Sequence, residues 1–340
     1  MKRCLYLAKK GLGKTYPNPM VGCVIVYKNK IIGEGWHQKA GEAHAEVVAI
    51  NSVQNKENLK DATLYVSLEP CSHYGKTPPC SDLIIAYEIP DVIIAIPDNY
   101  DQVNGKGIQR LKAAGCRVQL NTCKAEAEHI NRRFFTFNLK KRPFVVLKWA
   151  QTADCFVAPE NQQVGKRIKI SDQLSHQLTH KWRTEEQAIL IGKNTALQDR
   201  PSLTARKWKG ISPIKLIIDK KLEIPVHSPL FQDEVDCYVF TEGKENKENH
   251  PGILHRLDFS KAVIPQLLAA CFKLKIQSIL VEGGAQTLQG FIDEQLWDEA
   301  RIFTSKHELG KGIAAPQIEA RPTDNKQLHN DKLAIFRNDQ

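Results

Sequence analysis

The chain has 340 residues, a quarter of them charged, and a formal net charge of +10. That length suits two domains better than one core, and no apolar run approaches the roughly 20 residues that a membrane-spanning helix needs. The positive balance favours an anionic partner, but the basic residues are dispersed among acids, as in Lys244-Glu245-Asn246-Lys247-Glu248, without the basic and aromatic stripe of a nucleic-acid binder.

The start, Met1-Lys2-Arg3-Cys4, runs into a mixed stretch carrying Lys9, Lys10 and Lys14, not an apolar signal core. A cytoplasmic location is therefore expected. Nine scattered cysteines fit reduced thiols better than a disulfide framework, and Cys23, within a Val/Ile run, reads as a small buried hydrophobe. Strands are expected over 21–27 and 31–36, flanking a turn at Lys28-Asn29-Lys30. A helix starts near His44. Then follow a strand over 63–68, a helix after Pro79, a strand over 92–96, a helix over 107–114 and a strand over 118–120. This alternation predicts an α/β sandwich around a mainly parallel sheet. Residues 124–138 read as one helix leading out of a first domain, 1–139, and Lys140-Lys141-Arg142-Pro143 as a linker.

A second α/β pattern occupies 143–340. Strands are expected over 144–149, 188–191, 215–219, 237–240 and 278–281. Ser171-Asp172 caps a helix with Leu174, Leu178 and Trp182 on one face, and another helix starts near Ala285. The polar stretch 242–249 reads as a solvated loop, and no internal repeat is present.

Three fragments carry chemistry together: His44-Ala45-Glu46, Pro70-Cys71 and Cys80. They supply one imidazole, two thiolates and a spare carboxylate. Three protein ligands leave the fourth tetrahedral position of a zinc ion open to water. In zinc-dependent base deaminases the nearby glutamate is the general acid/base and not a ligand. His44, Cys71 and Cys80 are thus expected to hold one zinc ion per chain, and Glu46 to move protons. A closed site using His73 as a fourth ligand would leave Glu46 without a purpose. Pro79 suits the first position of a helix, where its missing N–H costs little. Asn18, between Pro17 and Pro19, has the donors and acceptors to read a pyrimidinone edge.

In the second half no Gly-x-Gly-x-x-Gly follows a strand. Instead an apolar strand runs through Glu282 into Gly283-Gly284-Ala285-Gln286-Thr287-Leu288, where glycines and a helix start allow close approach to phosphate.

Eight residues separate Cys71 from Cys80, against two in the nucleic-acid deaminase signature. The run 68–80, with Tyr16-Pro17-Asn18-Pro19-Met20-Val21-Gly22 and Gly35-Trp36-His37 through Glu46, resembles the deaminase half of the bifunctional riboflavin-biosynthesis enzymes. Lys148-Trp149-Ala150, His180-Lys181-Trp182-Arg183, Gly192-Lys193-Asn194-Thr195-Ala196, Asp199 through Arg206 and Glu282-Gly283-Gly284 are similar to the reductase half, in order. The resemblance implies a cytidine-deaminase-like α/β/α sandwich followed by a dihydrofolate-reductase-like α/β domain. It implies zinc-dependent deamination of 2,5-diamino-6-(5-phosphoribosylamino)pyrimidin-4(3H)-one, then NADPH-dependent reduction of the ribosyl group to ribityl. It places Asn18, His37 and Lys76 on the first substrate, the latter two on its phosphate. Ala150, Thr195, Asp199 and 283–288 would contact NADPH, and Arg183, Leu203, Arg206 and Glu282 the second substrate, with both arginines on phosphate. Asp154-Cys155 stands where the family often has Asp-Gly, Ile168-Lys169 where an aromatic is usual, and 98–101 lacks the usual Asp-Pro-Asn-Pro. The expected partner is a small phosphorylated pyrimidine, not nucleic acid or a membrane, with homo-oligomerisation left open. The alternatives are an impaired reductase half, a nucleic-acid base deaminase with an accessory domain, and a non-catalytic zinc module.

Overall fold

The computed structural model describes residues 1–72, 74, 78–98, 105–165, 168–243 and 249–338. The chain divides into two compact units, Met1–Lys141 and Arg142–Gln340. No helix among the described residues is long and apolar enough to cross a membrane.

The first unit opens with α1 (Lys2–Lys9), followed by a hairpin of β1 (Gly22–Tyr27) and β2 (Lys30–Trp36). Lys28 and Asn29 connect the strands with φ of 48° and 60°, the paired left-handed conformation of a tight hairpin turn. After α2 (Ala45–Ser52), β3 (Thr63–Val66) pairs antiparallel with β1. Next come α3 (Cys80–Ala86), β4 (Asp91–Ile94), α4 (Lys106–Ala113) and β5 (Arg117–Gln119). The sheet order is β2-β1-β3-β4-β5, parallel only across β3-β4-β5. It is therefore mixed, not mainly parallel as expected, because a two-residue turn can only return the chain antiparallel.

Alternation along β1 builds the two layers. Cys23 and Ile25 join Ala45, Ala49 and Ile50 of α2, Ile84 of α3 and Leu111 of α4 in one core, whereas Val24 joins Cys4 and Leu7 of α1 on the other face. The helix expected over 124–138 is two, α5 (Lys124–Ile130) and α6 (Arg132–Lys140). The break is at buried Asn131, whose side chain accepts from Met20 N–H at 2.8 Å and donates to Met20 O at 3.0 Å. A helical asparagine turned to that task competes with its own ladder.

The second unit begins with β6 (Phe144–Gln151) and β7 (Phe156–Ala158), then α7 (Gln173–Glu185), β8 (Ala188–Gly192) and α8 (Lys193–Asp199). It continues with β9 (Ile214–Ile218), β10 (Cys237–Thr241), β11 (Ile253–Arg256), α9 (Val263–Lys273), β12 (Ser278–Gly283) and α10 (Ala285–Asp293). It closes with β13 (Glu299–Thr304), β14 (Ile313–Ala314), β15 (Asp324–Leu328) and β16 (Asp331–Arg337). Nine strands form one sheet in the order β11-β10-β9-β8-β12-β6-β13-β16-β15, with only the β13-β16 and β16-β15 ladders antiparallel. Val145 and Leu147 pack under α9 and α10 with Leu267, Cys271 and Phe291. Val146, between them, faces the opposite core with Trp182 of α7, which stacks on Phe303 at 5.3 Å between centroids. Strands β8, β12 and β6 are thus buried on both sides, and their C-terminal ends deliver the cavity residues.

Candidate active sites

His44 caps α2 in an extended conformation, so its ring leaves the helix start while Glu46 sits in the first turn. Cys71 lies in the loop after β3, and Cys80 is the first residue of α3. Pro79 is the cap and not the first helical residue; its fixed φ serves the chain entry equally well. The three donor atoms lie within 4.8 Å of one another, with His44 Nδ1 at 3.5 Å from Cys71 Sγ and 3.3 Å from Cys80 Sγ. Cys80 N–H donates to Cys71 Sγ at 3.3 Å, and Ser81 N–H and Oγ donate to Cys71 O at 3.1 and 3.0 Å. The two cysteine segments thus hold each other's geometry.

The electrostatics suit a divalent cation. Hydrogen bonding to Cys80, then to His44, draws Cys71 down to about 4. Cys80 is pushed up by its bond to Cys71 and by burial, because a second thiolate would stand beside both Cys71 and Glu46. A bound cation removes that conflict, and the soft sulfur and imidazole donor set fits zinc. Glu46 is 3 % exposed; burial, then the nearby Cys71, pushes its carboxyl up to about 7.

Asn18 and His37 stand behind this centre. The His37 and His44 rings meet edge to face at 5.6 Å, and Asn18 Nδ2 lies 3.0 Å from His37 Nε2. His37, expected on the phosphate, is buried and uses both ring nitrogens inside the protein, Nδ1 on Ala43 O at 3.1 Å. Burial also lowers its basicity, opposite to what binding a phosphate dianion asks. Lys76 and His73 lie outside the described residues. Glu69, which the sequence reading passed over, is buried and accepts four backbone N–H groups: Gly107 at 2.9 Å and Ile108 at 3.2 Å on one oxygen, Asp98 at 3.0 Å and Gly105 at 3.3 Å on the other.

In the second unit a cavity of about 1430 Å³ is lined by Ala150, Thr195, Asp199, Arg183, Arg206, Glu282 and all of 283–288. Gly283 has φ +150°, a conformation L side chains rarely adopt, and a Cβ at Gly284 would stand 3.0 Å from Thr195 Oγ1. At Gly192 a Cβ would meet Thr287 Oγ1 at 2.7 Å. This close packing brings the start of α10, with its unpaired N–H groups, to the cavity wall, as a nucleotide phosphate requires. Glycines and N–H groups therefore fit a dinucleotide.

Two residues expected on the second substrate, Leu203 and Arg183, have partners within the protein. Leu203 is 3 % exposed and packs in the cluster of Ile189, Ile191 and Ile217, away from the cavity wall, because an isobutyl side chain gains more there than against water. Arg183 does not offer a free guanidinium to phosphate. Its Nε and Nη2 donate to Glu282 at 2.7 Å each, and its Nη1 to Thr204 O at 3.0 Å. Arg206 is exposed, with Nη1 2.9 Å from Ser202 Oγ. Cys155 holds φ +63°, which explains a usual glycine there; Ile168 and Lys169 line the cavity, while 166–167 lie outside the described residues.

Two chemistries therefore share this chain: metal-assisted hydrolysis in the first unit and nucleotide-dependent reduction in the second. The family description "Cytidine and deoxycytidylate deaminase zinc-binding region" matches residues 1–96, and "RibD C-terminal domain" matches 143–334. Riboflavin biosynthesis protein RibD of Aquifex aeolicus is 38 % identical over 99 % of this chain and 96 % of its own length; the Escherichia coli K12 protein is 34 % identical over 91 % and 88 %. The crystal structure of a diaminohydroxyphosphoribosylaminopyrimidine deaminase/5-amino-6-(5-phosphoribosylamino)uracil reductase from Thermotoga maritima superposes with a TM-score of 0.90 at 34 % identity, covering 99 % of this chain and 97 % of that one. RibD from Acinetobacter baumannii gives 0.89 at 30 % identity, with coverage of 99 % and 97 %. The chain belongs to the RibD family of bifunctional riboflavin-biosynthesis enzymes, with a zinc-binding, cytidine-deaminase-like half and an NADPH-using, dihydrofolate-reductase-like half.

Proposed function

We propose that residues 1–139 deaminate 2,5-diamino-6-(5-phosphoribosylamino)pyrimidin-4(3H)-one and that residues 143–340 then reduce its ribosyl group to ribityl. The observation that carries this reading is the convergence of His44, Cys71 and Cys80 beside the buried carboxyl of Glu46. Zinc supplies a Lewis acid that makes water nucleophilic near neutral pH. His44 and the two cysteines would hold the ion. Glu46 takes a proton from the attacking water and delivers it to the departing ammonia, a task its burial-raised carboxyl suits.

In the second half NADPH supplies the hydride. The glycines at 283–284 and the start of α10 would hold its phosphates, and Thr195, against Gly284, keeps that backbone close. Glu282 faces the sugar as an acceptor, with Arg183 behind it, and Arg206 takes the phosphate. The partner is a small phosphorylated pyrimidine in the cytoplasm, where the free cysteines stay reduced. The test supplies this pyrimidine and NADPH to the purified protein and follows ammonia release and NADPH oxidation. Deamination of RNA in place of the pyrimidine would overturn the reading.

A further inference from the structure

Asn18 is restrained from behind. Its N–H donates to Thr15 O at 2.7 Å, and two residues on Met20 is gripped by Asn131. What stays open is which way the amide faces, and His37 answers it. The carbonyl of Ala43 can only accept, so His37 Nδ1 carries the hydrogen of their 3.1 Å bond. A neutral imidazole then offers only a lone pair at Nε2, and Nε2 is the atom 3.0 Å from the Asn18 amide. Neither ring nitrogen bonds a carboxylate, the ring is 3 % exposed, and it is the amide nitrogen of Asn18, a donor, that lies against Nε2. The amide must give its NH2 to His37; the reverse orientation would set Oδ1 against the lone pair. Oδ1 is left facing away with no partner among the described residues.

We propose that His37 is a positioning residue for deamination: by fixing the Asn18 amide it presents Oδ1 as a hydrogen-bond acceptor, so this half selects a substrate with an N–H or O–H donor at that edge. The proposal rests on the deaminase reading above. A lactam edge, N–H beside C=O, meets the requirement. The bare ring nitrogen of a cytosine-type base does not.

The experiment uses the zinc-loaded full chain with two probes, the phosphorylated pyrimidine and its phosphate-free riboside. His37→Phe and Asn18→Ala each lower kcat/KM for ammonia release by about tenfold, the value of one oriented hydrogen bond. The double variant falls no further than Asn18→Ala alone. The His37→Phe loss is the same on the riboside, and each variant keeps its zinc. Losses that multiply to about a hundredfold would overturn the proposal. So would an effect that disappears with the phosphate, which would make His37 a phosphate ligand, or zinc loss in His37→Phe. Should His37→Phe fail to fold, nitrogen NMR of histidine-labelled native protein reads the tautomer directly. Hydrogen on Nδ1 is expected; hydrogen on Nε2, or on both nitrogens at neutral pH, refutes the geometry. No ammonia from the unaltered protein would count against the deaminase reading instead, and the tautomer would still decide the orientation.

Discussion

Arg183 and Glu282 meet through two parallel hydrogen bonds of 2.7 Å, one from Nε and one from Nη2, with both side chains about nine-tenths buried. The pair ties α7 to the end of β12, just before Gly283-Gly284. Burial alone would raise the Glu282 carboxyl, but the Arg183 charge outweighs it and holds the group down to about 2. The folded state therefore binds this proton less readily than the unfolded chain. The stability this contributes is fully present above the ordinary value of 4.5 and is lost as pH falls toward about 2. Thermal unfolding of the second unit, followed from about pH 5 to about pH 3, should show a steep loss that Glu282→Gln flattens. Equal slopes in both proteins would contradict the pairing.

Glu46→Gln preserves the size of the side chain and removes its ability to accept a proton. Ammonia release should fall by at least about a hundredfold, with metal content unchanged and NADPH oxidation, measured on the deaminated intermediate, intact. Undiminished deamination would refute the assigned role.

Removing the metal should separate the two halves. A chelator, or Cys80→Ala, is expected to abolish ammonia release, because two remaining donors cannot complete the site. The reductase, which shares none of these ligands, should keep its rate. Elemental analysis and the two assays on one sample test this together.

Glu69 holds the Cys71 loop against α4: its carboxylate takes four N–H groups, and a Cβ at Gly107 would lie 2.1 Å from Pro70 O. Glu69→Gln points an NH2 at two of those donors. Zinc affinity should drop by about ten- to a hundredfold, the usual cost of losing an outer support. Competition with a chromogenic chelator measures it, and unchanged affinity would show that the loop holds itself.

Cys155 occupies a left-handed conformation at φ +63°, which a side chain with a Cβ pays for and glycine does not. Cys155→Gly should stabilise the second unit by up to about 1 kcal/mol, since the relieved strain exceeds the added freedom of the unfolded chain. A lower melting temperature would disprove it.

The metal ligands were legible because few residue types bind zinc and their neighbours Glu46 and Pro70 repeat a chemical logic. Strands β6, β8 and β12 were legible because burial on both faces leaves unbroken apolar runs. Strand β13 was not: charged Glu299 and Arg301 interrupt its apolar run, yet they pair at 2.7 Å inside, with Arg301 over the Trp182 ring at 4.7 Å. The protein partners of His37 and Arg183 were hidden for a related reason. A motif names a side chain but not which neighbour consumes its donors, and both have spent theirs on protein. The same holds for Asn131, whose target lies 111 positions earlier in the chain.

That last bond bears on where the hydrolytic half may be cut. The zinc-region match stops at residue 96, yet the brace on Met20 comes from residue 131 and the donors around Glu69 from residues 98–108. A fragment trimmed to the shorter span would carry every ligand and lack the struts that aim them, whereas the compact unit that holds both runs to Lys141.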